Sequence, residues 1–142
     1  MDFELLKDKF TKEEAKQLNP LVLAFIGDGV YEVFIRSYIV SNNRSMSVHK
    51  LHVKTISYVR AHEQSNFMNE MIEKLNEEEL SIYKRGRNAK AGTVPKNADV
   101  REYRNATGFE ALMGYLYLTD NKERLEELLT MCLNLDKSEE NK

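Results

Sequence analysis

Along the whole chain the apolar positions recur at three- and four-residue spacing, and no stretch shows the two-residue alternation of a half-buried strand. The most apolar segment, residues 19–36, reads NPLVLAFIGDGVYEVFIR. Asn19 and Pro20 form a helix start: an Asn side chain can accept from an orphan N–H, and proline fits the first helical position. Leu21, Val22, Leu23, Ala24, Phe25, Ile26, Val30, Val33, Phe34 and Ile35 follow on nearly every side, which predicts an enclosed helix from about Pro20 to Val40. The charges within it leave an apolar run too short to span a bilayer.

The other segments follow the same logic. Residues 1–18 read as a short helical or extended lead-in, with Thr11 and Glu14 spaced as a capping box. Ser41-Asn42-Asn43 closes the apolar helix, and Ser45 or Ser47 caps a segment running through VHKLHVKTISYVRAHEQ, with Val48, Leu51, Thr55 and Val59 in register. Phe67, Met71, Ile72 and Leu75 make the next apolar face, and Asn76 with Glu79 starts a helix carrying Leu80, Ile82 and Tyr83. RGRNAKAGTVPKNADV, with Gly86, Gly92 and Pro95, has no sustained period and predicts a loop or broken helix. A second strongly apolar helix spans about Val100 to Leu118, and a last one about Lys122 to Leu133, before a polar tail from about residue 135 that predicts disorder. The fold class is all-α, in a single domain over residues 1–142.

Composition adds bounds. With 42% hydrophobic and 31% charged residues and two prolines, the chain suits a soluble helical protein. The single Cys132 excludes an internal disulfide framework and favours a reducing compartment. The first ten residues carry acids where a signal sequence needs a basic region, so the expected location is the cytoplasm, with no membrane contact.

Both apolar helices contain an oddity. Asp28 sits amid the first with a glycine on either side, although a helical glycine costs about 1 kcal/mol against alanine and a buried unpaired charge costs more. Glu110 repeats the pattern in NATGFEALMGYLYL, with Thr107 three residues before it and Gly114 four after, on one face. Two readings fit. Each acid can be structural, paired with an arginine such as Arg36 or Arg104. Alternatively the two face one another and share a cation, since carboxylates in contact otherwise repel and take up protons. Oxygen-only ligation would suit Mg²⁺ or Mn²⁺. Glu32, one turn after Asp28, is either a nearby second carboxylate or an exposed partner of Arg36. His49, His52 and His62 have no Cys, Asp or Glu at zinc spacing and read as surface residues.

Charge is also unevenly placed. Residues 84–104 hold Lys84, Arg85, Arg87, Lys90, Lys96, Arg101 and Arg104 against Asp99 and Glu102, a net +5 in a chain of net −2, so the remainder carries −7. Such a cluster is an electrostatic footprint for phosphates, and it leads directly into the helix bearing Glu110.

These stretches resemble a known family. LAFIGDGVYE is similar to the signature helix of the ribonuclease III catalytic domain, where a carboxylate follows Phe-Leu-Gly. TGFEALMGYLYL resembles the family's second acidic helix, whose glutamate precedes Ala-Leu-Ile-Gly. With RGRNAKAGTVPKN and the short length, the resemblance is to the Mini-ribonuclease III branch, which lacks a double-stranded-RNA-binding domain, and it covers roughly residues 17–130. It implies a homodimeric, all-helical endonuclease that hydrolyses double-stranded RNA with Mg²⁺, leaving 5′-phosphate and 3′-hydroxyl ends. Each subunit cuts one strand. The implied substrate is the 23S ribosomal RNA precursor, with help from a ribosomal protein in choosing the site. Asp28 carries over as the catalytic aspartate and Glu110 as the metal-binding glutamate. Ala24 and Thr107 stand where larger relatives have two further acids; Asp99 is the candidate substitute, and Glu32 a weaker one. Two other readings remain: a non-catalytic RNA-binding or ribosome-associated module of the same fold, and an all-α Mg²⁺-dependent nucleotide hydrolase.

Overall fold

The computed structural model describes residues 10–90 and 94–140, with side chains as far as Asn134. Among these residues there are seven α-helices, a 3₁₀ turn and no strand: α1 (Lys12–Gln17), α2 (Pro20–Asn42), α3 (Val48–Val59), α4 (Ala61–Met71), the 3₁₀ turn Ile72–Lys74, α5 (Glu77–Asn88), α6 (Val100–Leu118) and α7 (Lys122–Glu140).

The helix starts follow the local chemistry. The Thr11 hydroxyl accepts from the Glu14 N–H while the Glu14 carboxylate accepts from the Thr11 N–H, the reciprocal capping box read in the sequence. Asn76 and Glu79 do the same at α5. Asn19 accepts from the Leu21 N–H and Ser47 from the Lys50 N–H.

Three boundaries differ from expectation. The segment from Val48 is two helices, because Arg60 takes an extended conformation, φ −62° and ψ 147°, and its N–H closes α3 on the Ile56 carbonyl. A buried Gln64 donates to the Val59 carbonyl across that bend, a partner that spacing alone does not reveal. The 85–100 stretch is helical through Asn88, so Arg85 to Asn88 extend α5 rather than begin a loop; Gly86 is tolerated there by its packing on α6. The last helix continues past Leu133 to Glu140, through residues that include the good helix formers Leu135, Lys137 and Glu139.

The core lies where α2 and α6 cross, with α4 and α5 also packed on α6 and α3 on α2. Leu23, Tyr31 and Ile35 of α2 meet Phe109, Leu112, Met113 and Leu116 of α6, all essentially inaccessible to water. The Tyr31 and Phe109 rings meet edge to face with centroids 4.9 Å apart, and the Tyr31 hydroxyl donates to the Tyr58 carbonyl at 3.0 Å. Burying side chains of this size contributes about 1.5–3 kcal/mol each. No helix among the described residues is long and apolar enough to cross a membrane.

Candidate active site

The crossing of α2 and α6 is set by two glycines. A Cβ on Gly27 would lie 1.7 Å from the Glu110 carbonyl oxygen, and one on Gly114 would lie 1.9 Å from the Leu23 carbonyl oxygen. Only hydrogen fits at either position, so the two backbones touch. That contact puts Asp28, the residue after Gly27, beside Glu110. The pairing of the two acids is therefore a consequence of the glycines around them.

The expectation that Asp28 is buried is corrected: its side chain is exposed, on the shoulder of α2 between the core face and the solvent face. Glu110 is the withdrawn partner. Its carboxyl is pushed up to about 9, first by burial, then by the charge and hydrogen bonding of Asp28, and last by Glu32. Glu32 thus belongs to the same acidic neighbourhood, while its own carboxylate binds the Arg36 guanidinium at 2.6 Å. Among the described residues neither Asp28 nor Glu110 forms a salt bridge with an arginine, the partner that a purely structural role would use. Among the described residues no group of three or more His, Cys, Asp or Glu side chains is arranged to hold a metal ion.

Asp99 is not brought to this pair. Its side chain caps α6 by accepting from the Glu102 N–H at 3.0 Å. Eleven residues of helix separate it from Glu110, roughly 16 Å along the axis. Ala24 is buried in the core, and the Thr107 hydroxyl donates to the Tyr103 carbonyl at 3.0 Å, so neither position supplies an acid.

The basic stretch divides into cations that are engaged and cations that are not. Arg85 donates to the carbonyls of Lys16 and Leu18, at 2.8 and 3.3 Å, tying α5 to the turn between α1 and α2. Arg87 lies over the Tyr83 ring, 5.6 Å from its centroid, and donates to Asn88. Lys84, Lys90, Lys96, Arg101 and Arg104 are exposed. Beneath them Tyr83, Asn105 and Ser65 form a buried hydrogen-bonded string joining α5, α6 and α4, with steps of 3.1 Å. A Cβ on Gly86 would lie 2.8 Å from that of Ala111, so α5 also packs closely on α6, though less tightly than α2, and holds the cations on the flank of the helix that carries Glu110.

Two features had no signal in the sequence. Tyr103 lines an open cleft of about 340 Å³ together with Lys90 and Arg104. His62 pairs with Glu102 at 2.7 Å across 40 residues of chain. The hydrogen bond and charge of Glu102 hold this imidazole above its ordinary range.

Comparison with known proteins gives the family and the fold. The Ribonuclease III domain family model matches residues 21–121. The chain is 55% identical to the Mini-ribonuclease 3 of Clostridium tetani, over 92% of this chain and 86% of that one. It is 54% identical to the Mini-ribonuclease 3 of Enterococcus faecalis, over 83% and 90%. A Fusobacterium nucleatum protein of known crystal structure superposes with a TM-score of 0.76 at 31% identity, covering 84% of this chain and 95% of that one. The all-helical fold is that of a ribonuclease III domain. The chain belongs to the ribonuclease III family of endoribonucleases, among the Mini-ribonuclease 3 proteins.

Proposed function

We propose that the protein is a Mg²⁺-dependent endoribonuclease that cuts double-stranded RNA at the Asp28–Glu110 pair. The observation that carries this reading is the meeting of two carboxylates from the two central helices, with no arginine to neutralise them and one held protonated by burial and its neighbour. Such a pair calls for a cation. Mg²⁺ binds through one or two carboxylates while keeping several waters, which suits a site with two acids and solvent on one side; Mn²⁺ fits the same donors. Asp28 and Glu110 would hold it, with Glu32 adding negative charge alongside. When bound, the ion supplies a Lewis acid that activates water and stabilises the leaving 3′-oxygen, giving 5′-phosphate and 3′-hydroxyl ends.

The chain's own residues do the remaining work. Exposed Asp28 faces the side from which a strand can approach, while the withdrawn Glu110 is fixed from behind by Gly27. Lys84, Lys90, Lys96, Arg101 and Arg104 hold backbone phosphates, and Arg87 adds charge from above Tyr83. Arg85 acts indirectly, by anchoring the helix that carries them. A-form RNA is read mainly by shape, so this surface confers little sequence specificity by itself.

The same reading makes the protein a homodimer in the cytoplasm, each subunit cutting one strand. Support comes from the outward face of α2, where Val22, Phe25, Val33 and Val40 are exposed in a helical stripe, Phe25 at 78%. Several exposed apolar side chains on one helix face favour an association surface. Identification of the RNA as the 23S precursor, and of a ribosomal protein as a helper, rests on the likeness to Mini-ribonuclease III.

The direct test is Asp28→Asn. Because the side chain is exposed, the substitution leaves fold and dimer intact and abolishes Mg²⁺-dependent cleavage of a long RNA duplex. Full activity in that variant would sink the assignment.

A further inference from the structure

The cleft between the end of α5 and the start of α6 differs from a surface built only to track a duplex backbone. It is concave, holds about 340 Å³, and is lined by Tyr103, Lys90, Arg104 and Thr107 together with Gly86, Ala89 and Val94. That volume falls at the lower end of the range that encloses a small ligand. Neither Lys90 nor Arg104 forms a side-chain ion pair or hydrogen bond among the described residues, in contrast to Arg85 and Arg87, which are engaged. Two cations and an aromatic side chain around one small hollow match the parts of a single nucleotide: a phosphate for the cations and a base for the ring. A paired nucleotide cannot offer its base in this way, because its faces are covered by neighbours in the stack. Bases that proteins take into pockets are those in bulges, loops and ends, and they stack on aromatic side chains or guanidinium planes.

The cleft also stands in register with the acid pair. Thr107 precedes Glu110 by three residues and Tyr103 precedes it by seven, so along the helix axis the hollow's lining on α6 runs from about 4.5 Å to about 10.5 Å from Glu110.

We propose that this cleft takes one unpaired nucleotide of the RNA, its base against Tyr103 and its phosphate between Lys90 and Arg104, so that the enzyme favours duplexes with a single-nucleotide bulge at a fixed short distance from the cut. The proposal rests on the endoribonuclease reading above and adds a structural preference to it.

The test uses the full chain with Mg²⁺ and a fixed-sequence RNA duplex, either fully paired or carrying one unpaired adenosine at successive positions on either side of the cut. One bulge position raises kcat/KM about tenfold over the paired duplex, the scale of one base–aromatic stack. Tyr103→Leu loses that preference and Tyr103→Phe, which retains the ring, keeps it; Arg104→Gln reduces it and raises KM for the bulged substrate. Should Tyr103→Leu fail to fold by circular dichroism, the exposed Arg104→Gln and Lys90→Gln variants decide the matter. The proposal is overturned if no bulge position is preferred, or if the preference survives in Tyr103→Leu. In either case cutting of the paired duplex leaves the endoribonuclease reading standing. Failure to cut any of the RNAs overturns both.

Discussion

Gly27 and Gly29 flank the same aspartate, yet a methyl group added at Gly27 would meet the Glu110 carbonyl oxygen at 1.7 Å while one at Gly29 would meet nothing within 4 Å. The two positions therefore respond in opposite directions. Gly27→Ala forces α2 and α6 apart and destabilises the chain by about 3 kcal/mol, the upper end of ordinary overpacking. Gly29→Ala, measured by urea denaturation at a dilution where the chain is monomeric, gains up to about 1 kcal/mol of helix propensity. Equal effects at the two sites would contradict the crossing described here. Glu110 gives a second prediction. The native carboxyl keeps its proton to about pH 9, whereas the unfolded one titrates near 4.5, as an ordinary glutamate does. Between those values the unfolded chain binds fewer protons, so the stability of the metal-free protein falls as pH rises. Glu110→Gln is neutral throughout and flattens that dependence between pH 5 and 9. A wild-type curve no steeper than the variant's would show that the carboxyl titrates normally.

At the scale of elements, the site depends on α5 and α7 as well as on the helices that carry the acids. Glu79 caps α5 and is only 2% exposed, and Arg124 of α7 grips its carboxylate with two hydrogen bonds of 2.7 and 2.9 Å. Burial alone would raise this carboxyl; the bonds from Arg124 and the Asn76 N–H outweigh it and hold the group below its ordinary range. The Arg124 guanidinium also donates to the Lys74 carbonyl, closing the turn before α5. Arg124→Met leaves a buried carboxylate without its partner, and a loss of about 3–5 kcal/mol is expected in a denaturation experiment. A loss below 1 kcal/mol would mean that water reaches Glu79 and the pair contributes little. The neighbouring link from the Tyr115 hydroxyl to Glu78 joins α6 to α5 from the same side. Together these contacts hold α5 against α6, and with it the basic surface in register with Glu110.

For the whole molecule, the outward face of α2 is an apolar surface that a single chain leaves uncovered. Phe25 is 78% exposed, Val22 46% and Val33 45%, whereas residues on the opposite face of the same helix are inaccessible. Asp28 and Glu32 border this stripe, so a second copy seated on it would lie against the edge of the acid site. Phe25→Glu places a charge in the middle of the surface; sedimentation should then report a monomer, against the dimer proposed for the natural chain, with helical content preserved. A Phe25→Glu chain that remains dimeric would place the interface elsewhere. The cut is expected to weaken with salt as well, since the attraction of the exposed cations for phosphate falls as counterions accumulate.

The sequence by itself determined the helical class, the capping boxes at Thr11 and Asn76, the two apolar helices and the odd acids within them. These follow from periodicity and short-range chemistry, in which each residue answers to neighbours three or four positions away. Only tertiary structure decided how the acids stand. Asp28 lies among apolar residues in the chain and was expected to be buried, but its helix is enclosed on one side only, so the carboxylate reaches water. Asp99 looked available in the sequence, but the first turn of α6 uses its carboxylate as a cap, three helical turns from Glu110. Arg85 is one of seven similar cations in the sequence, and the carbonyls that engage it arrive from 67 and 69 residues away. The pairing of Asp28 with Glu110 depends in turn on what Gly27 excludes, namely any atom between two backbones that are distant in the chain. Local patterns carry no information about such contacts, because which surfaces meet is settled by the packing of the whole core.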